Sequence, residues 1–294
     1  MVGNALLLLH LSILIAGFTG ILGKLIELDS FVLSGYRSIF TAAMFFCFLA
    51  FTKSIIKIPT HNAVKITALG VLLGIHWIFF YGSIKFANVS IAVVCLSSMG
   101  FFTSLLEPLF LKRKLQIKEI IYSVISIIGI LFIFKFDSQY RLGIIIGFIS
   151  AFLASTYTIL NKKFVSSYDV KTLLLYEMFG ASIFFIFCTP IYVSIFSFER
   201  LIGTQSDYIY LLLLSSVCTI GLYLLQISVV KVISAFTVNL SYNLEPIYSI
   251  ILAMIIFKEG KELNFSFYVG LVLIILSVAL QTLSSLKAQK HRLS

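Results

Sequence analysis

The fold is decided by one apolar stretch, TALGVLLGIHWIFFYGSIKFANVSIAVVCLSSMGFFTSLLEPLF, which occupies residues 67–110. Lys85 and Glu107 are its only residues with a formal charge. A helix that crosses a bilayer needs about 20 apolar residues, so the stretch is too long for one crossing and long enough for two. The pair Ala87-Asn88 divides it, and we predict one membrane span on each side of this pair.

The composition of the whole chain also indicates a membrane protein. Of its 294 residues, 60% are hydrophobic and 12% are charged, and the mean hydropathy is +1.08. A soluble domain carries about 25% charged residues, so charge this sparse cannot cover a water-facing surface. A soluble enzyme and a disordered chain are therefore both excluded.

Charges and turn residues divide the other apolar runs in the same way. Ten spans result, over residues 4–24, 31–51, 67–86, 89–110, 117–136, 142–164, 172–193, 207–230, 234–257 and 264–284. The sequence thus predicts an all-α integral membrane protein with ten transmembrane helices in one membrane domain.

The distribution of Lys and Arg predicts the orientation. With the N-terminus inside, most basic residues fall in cytoplasmic loops and the C-terminal tail, among them Lys112-Arg113-Lys114. The positive-inside rule then places both termini in the cytoplasm. The net charge of +10 is explained by the membrane and does not indicate nucleic acid. We expect a multi-pass protein of the cytoplasmic (inner) membrane, whose surroundings are the lipid bilayer.

Short matches between the two halves indicate an internal duplication. They follow helix order and pair Ile21-Leu22-Gly23-Lys24 with Ile159-Leu160-Asn161-Lys162, Ser90 with Ser234, Leu96-Ser97 with Leu240-Ser241, and Tyr122 with Tyr268. We predict repeats over residues 1–138 and 139–294. Because each repeat holds five spans, an odd number, the second enters the membrane from the opposite side. Such inverted repeats are common in secondary transporters, which bind substrate between them.

The ninth predicted span carries a polar segment, Asn239-Leu240-Ser241-Tyr242-Asn243-Leu244-Glu245-Pro246. An ionisable group within the bilayer costs about 2.5–3.5 kcal/mol on insertion scales, so Glu245 needs an explanation. Pro246 lacks an N–H and predicts a kink or hinge. Asn239, Tyr242 and Asn243 share one helix face with Pro246. We interpret this face as a substrate-cavity wall with Glu245 as a cation or proton site; the alternative is a neutral Glu245 bonded between helices.

The third predicted span contributes aromatic candidates. Trp77 and Tyr81 are four residues apart and share a face, which favours either a substrate lining or core packing. His76 suits proton exchange, although a lone histidine often just bonds a neighbour. Weaker substrate-binding candidates in other spans are Ser98, Tyr157, Tyr223 and Gln226.

Three ionisable residues are predicted near span ends. We expect Glu107 to form a salt pair at the basic inner interface, with an inner gate as the alternative. Glu177 is also expected at that interface. Arg37 is expected to pair with Glu27 or Asp29 at the outer side.

Two glycine pairs have a spacing that lets another helix backbone approach closely. They are Gly70 with Gly74 in the third span and Gly143 with Gly147 in the sixth. Both have the GxxxG form typical of membrane helix contacts.

Sequence motifs of catalysis are missing. The chain has no GxxxxGK[ST], HExxH or GxSxG pattern and no Asp-rich metal motif. Its four cysteines lie in apolar runs without CxxC spacing. We expect no catalytic residues, no metal and no cofactor.

The pattern resembles the EamA-like family of the drug/metabolite transporter superfamily. Leu244-Glu245-Pro246 followed by Phe257-Lys258-Glu259 is similar to that family's ninth helix, and Tyr36-Arg37 resembles its second-helix arginine. Tyr81 followed by Ser90-Ile91-Ala92 is also similar. The first half departs from the family, with Met99-Gly100 or Phe101-Phe102 in place of a frequent proline and Lys112-Arg113-Lys114 in place of a frequent glutamate. The resemblance implies a central cavity built mainly from spans 1, 3, 4, 6, 8 and 9 and export of amino acids or other small metabolites.

We therefore predict a secondary transporter, not an enzyme, that exports amino acids or similar small metabolites by alternating access as a monomer or homodimer. Proton coupling through Glu245 or His76 and passive facilitation are both open. One rival is a membrane-embedded lipid-handling enzyme, which a carboxylate or histidine cluster near one bilayer face would indicate. Another is a non-transporting sensor or scaffold subunit, which a large partner-binding loop would indicate.

Overall fold

The computed structural model describes residues 2–54, 57–111, 117–136, 138–165, 167–196, 201–230, 244–261 and 263–293. Every regular element within these ranges is helical, as predicted. The helices are α1 (Val2–Leu25), α2 (Ser30–Phe51), α3 (Thr60–Phe86), α4 (Val89–Leu96), α5 (Met99–Leu111), α6 (Ile117–Phe136), α7 (Arg141–Val165), α8 (Val170–Ile195), α9 (Gln205–Ser215), α10 (Leu222–Val230), α11 (Glu245–Ile256) and α12 (Phe265–Leu293).

Seven helical segments of the described ranges are long and apolar enough to cross a membrane. Two of the seven join shorter helices. The segment Val89–Phe110 combines α4 and α5 around Ser97-Ser98, and Gln205–Leu225 combines α9 and α10 through the π-helical segment Ser216–Gly221. Helix α11 and the Phe265–Ser277 part of α12 are shorter apolar helices. The protein is therefore a multi-pass membrane protein.

Several predicted span boundaries agree with the helices because side chains at the breaks cap helix N-termini. The Asn88 side chain accepts a hydrogen bond from the Ile91 amide at 2.9 Å, which begins α4 where the long apolar stretch was divided. Asp29 caps α2 in the same way. The third helix differs from its prediction, since α3 begins at Thr60 and not at residue 67. Its first turns are polar, and Asn62 there donates a hydrogen bond to Tyr168.

Contacts between helix ends define two ends of the bundle. At the Glu259 end, Lys24 of α1 pairs with Glu259, which follows α11, and Ser83 of α3 bonds Gly143 of α7. At the opposite Glu107 end, Glu107 of α5 pairs with Lys162 of α7. Helix α1 thus ends where α7 begins, so these two helices run in opposite directions.

The centre of the bundle is α3, which packs against α7 and α8. A Cβ atom added to Gly70 of α3 would lie 1.8 Å from the Glu177 carbonyl oxygen of α8, and one added to Gly180 would lie 1.9 Å from the Thr67 carbonyl oxygen. On α7, a Cβ added to Gly143 would lie 2.5 Å from Ala87 and one added to Gly147 would lie 2.7 Å from Cys95. The close approach predicted from both glycine pairs is confirmed.

Candidate functional site

A buried arginine joins three helical segments. The Arg37 guanidinium of α2 lies 4.0 Å from the centre of the Trp77 ring of α3. It donates hydrogen bonds to the Tyr81 hydroxyl at 2.6 Å and to Thr219 Oγ1 at 3.1 and 3.3 Å. A cation over an indole face is attracted by the ring quadrupole. We call Arg37, Trp77, Tyr81 and Thr219 the arginine cluster.

The partners expected for Arg37 were wrong. Among the described residues, no carboxylate lies within ion-pair distance of its guanidinium, and it is only 5% exposed. Asp29 instead caps α2 and accepts the Tyr192 hydroxyl. Its partner Thr219 belongs to the π-helical segment Ser216–Gly221, where the Thr219 hydroxyl also donates to the Leu214 carbonyl oxygen at 2.9 Å. Such π-bulges are frequent at functional sites.

The arginine cluster predicts the effect of Arg37→Lys. A lysine ammonium has no planar fork with which to reach Tyr81 and Thr219 together. At about 0.5–1.5 kcal/mol per lost hydrogen bond, we expect the free energy of unfolding to fall by about 2 kcal/mol. Trp77 is the only tryptophan of the chain, so its fluorescence spectrum in detergent should change as well. The exposed Arg141→Lys is the control, and an unchanged spectrum with an unchanged melting temperature in Arg37→Lys would contradict the contact.

A second polar cluster lies between α7 and α8. The Tyr157 hydroxyl donates to Glu177 Oε2 at 2.7 Å and accepts a hydrogen bond from Asn161 Nδ2 at 3.0 Å. Tyr223 of α10 is close enough to interact electrostatically with both Tyr157 and Glu177. We call these four residues the Glu177 cluster. Glu177 was expected at the inner interface, and the structure shows that its side chain is buried between helices, with only 2% exposed.

Three atoms of the Glu177 cluster have unused hydrogen-bonding capacity. Glu177 Oε1, Asn161 Oδ1 and the Tyr223 hydroxyl are buried and have no hydrogen-bond partner among the residues that the structure describes. Leaving such a group unpaired costs about 1–3 kcal/mol, so native proteins keep few of them. Three in one cluster indicate a place where another molecule supplies the missing bonds.

The Glu177 cluster borders a cavity of about 550 Å³ at the Glu107 end. We call it the inner cavity, and its lining residues are Thr103, Glu107, Tyr157, Thr158, Ile159, Asn161, Lys162 and Val165. The salt pair expected for Glu107 is confirmed, with a distance of 2.7 Å to Lys162 Nζ. The Lys162 side chain is 65% exposed, so this pair reaches the surface at the mouth of the cavity.

One buried carboxylate joins three chain segments at the Glu259 end. Glu259 is 0% exposed and accepts four hydrogen bonds, from Lys24 Nζ, the Val89 amide, the Ser90 amide and the Ser90 hydroxyl. The last three lie at the N-terminus of α4, where the helix dipole favours an anion. Burial alone would raise the pKa of Glu259, but the bonds from Lys24 and Ser90 hold this pKa below its ordinary value. We call Lys24, Ser90 and Glu259 the Glu259 lock.

Other predicted site residues lie in different surroundings. His76 Nδ1 lies 2.9 Å from the Ser150 hydroxyl and 3.0 Å from its carbonyl oxygen, at the contact of α3 with α7. Ser98 lies at the break between α4 and α5, where its hydroxyl donates to the Cys95 carbonyl oxygen. Glu245 is partly buried, and Pro246 occupies the first turn of α11, where a missing N–H breaks no bond within the helix.

The remaining predicted residues lie outside what the structure describes. Asn239, Tyr242 and Asn243 fall between the described ranges. Gln226 belongs to α10, but its side chain is not described. The polar wall predicted for the ninth span therefore stays a prediction. Sequence reasoning missed Thr219 and underrated Glu177, since neither lies in a motif and each acts through residues of other helices.

Apolar helices with ionisable groups buried between them define an integral membrane protein with polar sites inside the bundle. The model of the EamA-like transporter family matches the chain twice, over residues 3–135 and 141–283. The chain belongs to the EamA-like transporter family, as its sequence pattern suggested.

Known proteins that are similar to the chain include a curated relative and a solved structure. An uncharacterized transporter of Clostridium kluyveri is 25% identical over 217 residues, which are 70% of this chain and 67% of that protein. One solved crystal structure is 16% identical, with a TM-score of 0.63 over 95% of this chain and 98% of that chain. This structural likeness shows that the fold is shared. Together with the family match, the relative supports a membrane transporter.

Proposed function

We propose that the protein carries amino acids or similar small metabolites across the cytoplasmic membrane by alternating access and works as an exporter. The observation that carries this proposal is the difference between the two ends of the bundle. The Glu259 lock closes one end with a fully buried carboxylate, whereas the Glu107 end contains the inner cavity. A transporter that is closed at one end and holds a cavity at the other is in one of the two states that alternating access requires.

The two ion pairs support an inverted repeat. Lys24 and Lys162 occupy equivalent positions in the matched segments of the two predicted repeats, over residues 1–138 and 139–294. Each lysine pairs with a glutamate of the other repeat, Lys24 with Glu259 and Lys162 with Glu107. The pairs lie at opposite ends of the bundle, as an inverted pseudo-twofold relation of two five-helix halves requires. In this proposal they are the two gates, and ten spans cross the membrane.

The proposed direction follows from the orientation. The positive-inside rule places the Glu107 end at the cytoplasm. The inner cavity would then receive solutes from the cytoplasm, as an exporter needs. Its volume of about 550 Å³ lies within the usual range of small-molecule sites.

Reconstitution tests the proposed function. Purified protein in liposomes should move at least one member of a panel of radiolabelled amino acids and small metabolites faster than protein-free vesicles do. The double variant Glu107→Gln/Lys162→Gln keeps a neutral pair at the cavity mouth and should alter the rate for the same solute. No flux above protein-free vesicles for any member would contradict the proposal.

A further inference from the structure

The unused acceptors of the Glu177 cluster form one polar region. Asn161 and Glu177 are both held against the Tyr157 hydroxyl, at 3.0 and 2.7 Å. The hydrogen bonds run in one direction, from the Asn161 amide to the Tyr157 hydroxyl and from there to the Glu177 carboxylate. Two acceptors, Asn161 Oδ1 and Glu177 Oε1, have no hydrogen-bond partner among the described residues.

The region holds acceptors and has no basic partner among the described residues. Glu177 receives its one described hydrogen bond from Tyr157 and has no described Lys or Arg as a partner. Tyr223 interacts electrostatically with two acidic residues, Asp169 and Glu177. The basic residue that lines the inner cavity, Lys162, is paired with Glu107. A missing ligand group must therefore donate hydrogen bonds, and the missing basic partner favours a group that also carries positive charge.

An ammonium group meets both needs. It carries three N–H donors and one positive charge, and within the described part of the chain two acceptors and the Tyr223 hydroxyl of the cluster have no hydrogen-bond partner. A cationic group is attracted to the carboxylate more strongly than a neutral group, and an anionic group is repelled by it. We propose that Glu177, Asn161 and Tyr223 bind the ammonium group of an amine-bearing substrate. This inference rests on the proposed function and assigns the substrate class to the Glu177 cluster.

The inner cavity leads to this site. Tyr157 and Asn161 belong to the Glu177 cluster and line the inner cavity as well. A solute that enters the cavity thus reaches the residues that hold the Glu177 carboxylate.

Matched probes test the ammonium site. Alanine, leucine and phenylalanine supply three skeletons, each tested as amino acid, amino acid amide, des-amino acid and des-amino amide. Melting temperature in detergent and flux in proteoliposomes are measured for all twelve compounds. We expect binding and flux for the forms that carry an ammonium group, with or without the carboxylate. The des-amino forms should bind at least about tenfold more weakly, which corresponds to about 1.4 kcal/mol.

A variant links the selectivity to Glu177. Glu177→Gln should lower affinity for the ammonium probes at least about tenfold while the exposed Glu27→Gln, at the other end of the bundle, retains it. If Glu177→Gln does not fold, Tyr223→Phe removes one proposed oxygen without changing the ring and should lower the same affinity. Each variant's elution profile and melting temperature without ligand confirm that it is folded.

The outcomes separate the inference from the proposed function. Equal flux of des-amino and ammonium forms would overturn the ammonium site and leave the transporter proposal intact. NaCl or KCl could instead stabilise the protein while the amines have no effect. If Glu177→Gln abolished that stabilisation, the site would bind a metal cation, and the ammonium site would be overturned. Flux of none of the twelve compounds, with flux of other metabolites, would overturn the inference alone. No flux for any solute would count against both.

Discussion

Gly70→Ala is expected to lose most of its folded population. The added Cβ would lie 1.8 Å from the Glu177 carbonyl oxygen, and a backbone atom of a packed helix cannot move aside cheaply. Helices α3 and α8 would have to separate, which would also disturb the Glu177 cluster. We expect the loss in stability to reach or exceed the upper end of the roughly 1–3 kcal/mol of overpacking. In a chain of this size this lowers the melting temperature by about 6 °C or more.

Gly82→Ala is the matched control in the same helix. Its added Cβ would lie 3.4 Å from Ile146 Cγ2, an ordinary contact. Because alanine is the better helix former, this variant should keep the wild-type melting temperature or exceed it slightly. The stability of both variants is measured by thermal unfolding in detergent, and their folded state is checked by the elution profile from size exclusion. Equal stability of Gly70→Ala and Gly82→Ala would contradict the close crossing of α3 and α8.

Glu259→Gln is expected to open the Glu259 end. The amide keeps one acceptor oxygen and brings an N–H₂ group toward donors from Lys24, Val89 and Ser90. Breaking a fully buried ion pair costs about 3–5 kcal/mol, and the 30% exposure of Lys24 reduces the expected loss to about 2 kcal/mol. The melting temperature should fall accordingly, and Glu27→Gln, an exposed carboxylate at the same end, should not lower it.

The dependence on pH provides a second measurement of the Glu259 lock. Because the pKa of Glu259 is held below its ordinary value in the folded protein, its contribution to stability is fully present above the ordinary glutamate pKa. It is lost as the pH falls through the lowered pKa. The stability difference between wild type and Glu259→Gln should therefore shrink in acid. A difference that is constant from neutral to acidic pH would show that the carboxylate charge does not hold this end closed.

Most of the fold could be predicted because it depends on local pattern. Apolar run lengths and the capping residue Asn88 set the break before α4, and the spacing of Gly70 and Gly74 marked the face that meets α8. Trp77 and Tyr81 were predicted to share a face, and both contact Arg37. These features depend on one helix at a time.

The candidate site could be predicted only in part because its partners come from different helices. Nothing near Arg37 in sequence indicates Thr219, since their contact depends on the packing of α2 against a π-helical segment. Glu177 was expected at the interface from its distance to the helix end, and its burial depends on the close approach of α8 to Gly70 of α3. Glu259 was named in the sequence only through the family resemblance. Its hydrogen-bond donors belong to α1 and α4, so no pattern near Glu259 indicates them.

Alternating access itself is tested most directly by cysteine reactivity at the two ends. Thr103→Cys in the inner cavity and Val89→Cys beside the Glu259 lock are made singly in a chain whose Cys47, Cys95, Cys188 and Cys218 are replaced by alanine. Val89 is buried and bonds Glu259 through its backbone amide, which a cysteine keeps. Without substrate, a water-soluble maleimide should modify the first rapidly and the second slowly. An excess of a transported amino acid should slow the first and accelerate the second. Rapid modification at both ends in the same state, or no response at either, would contradict the account.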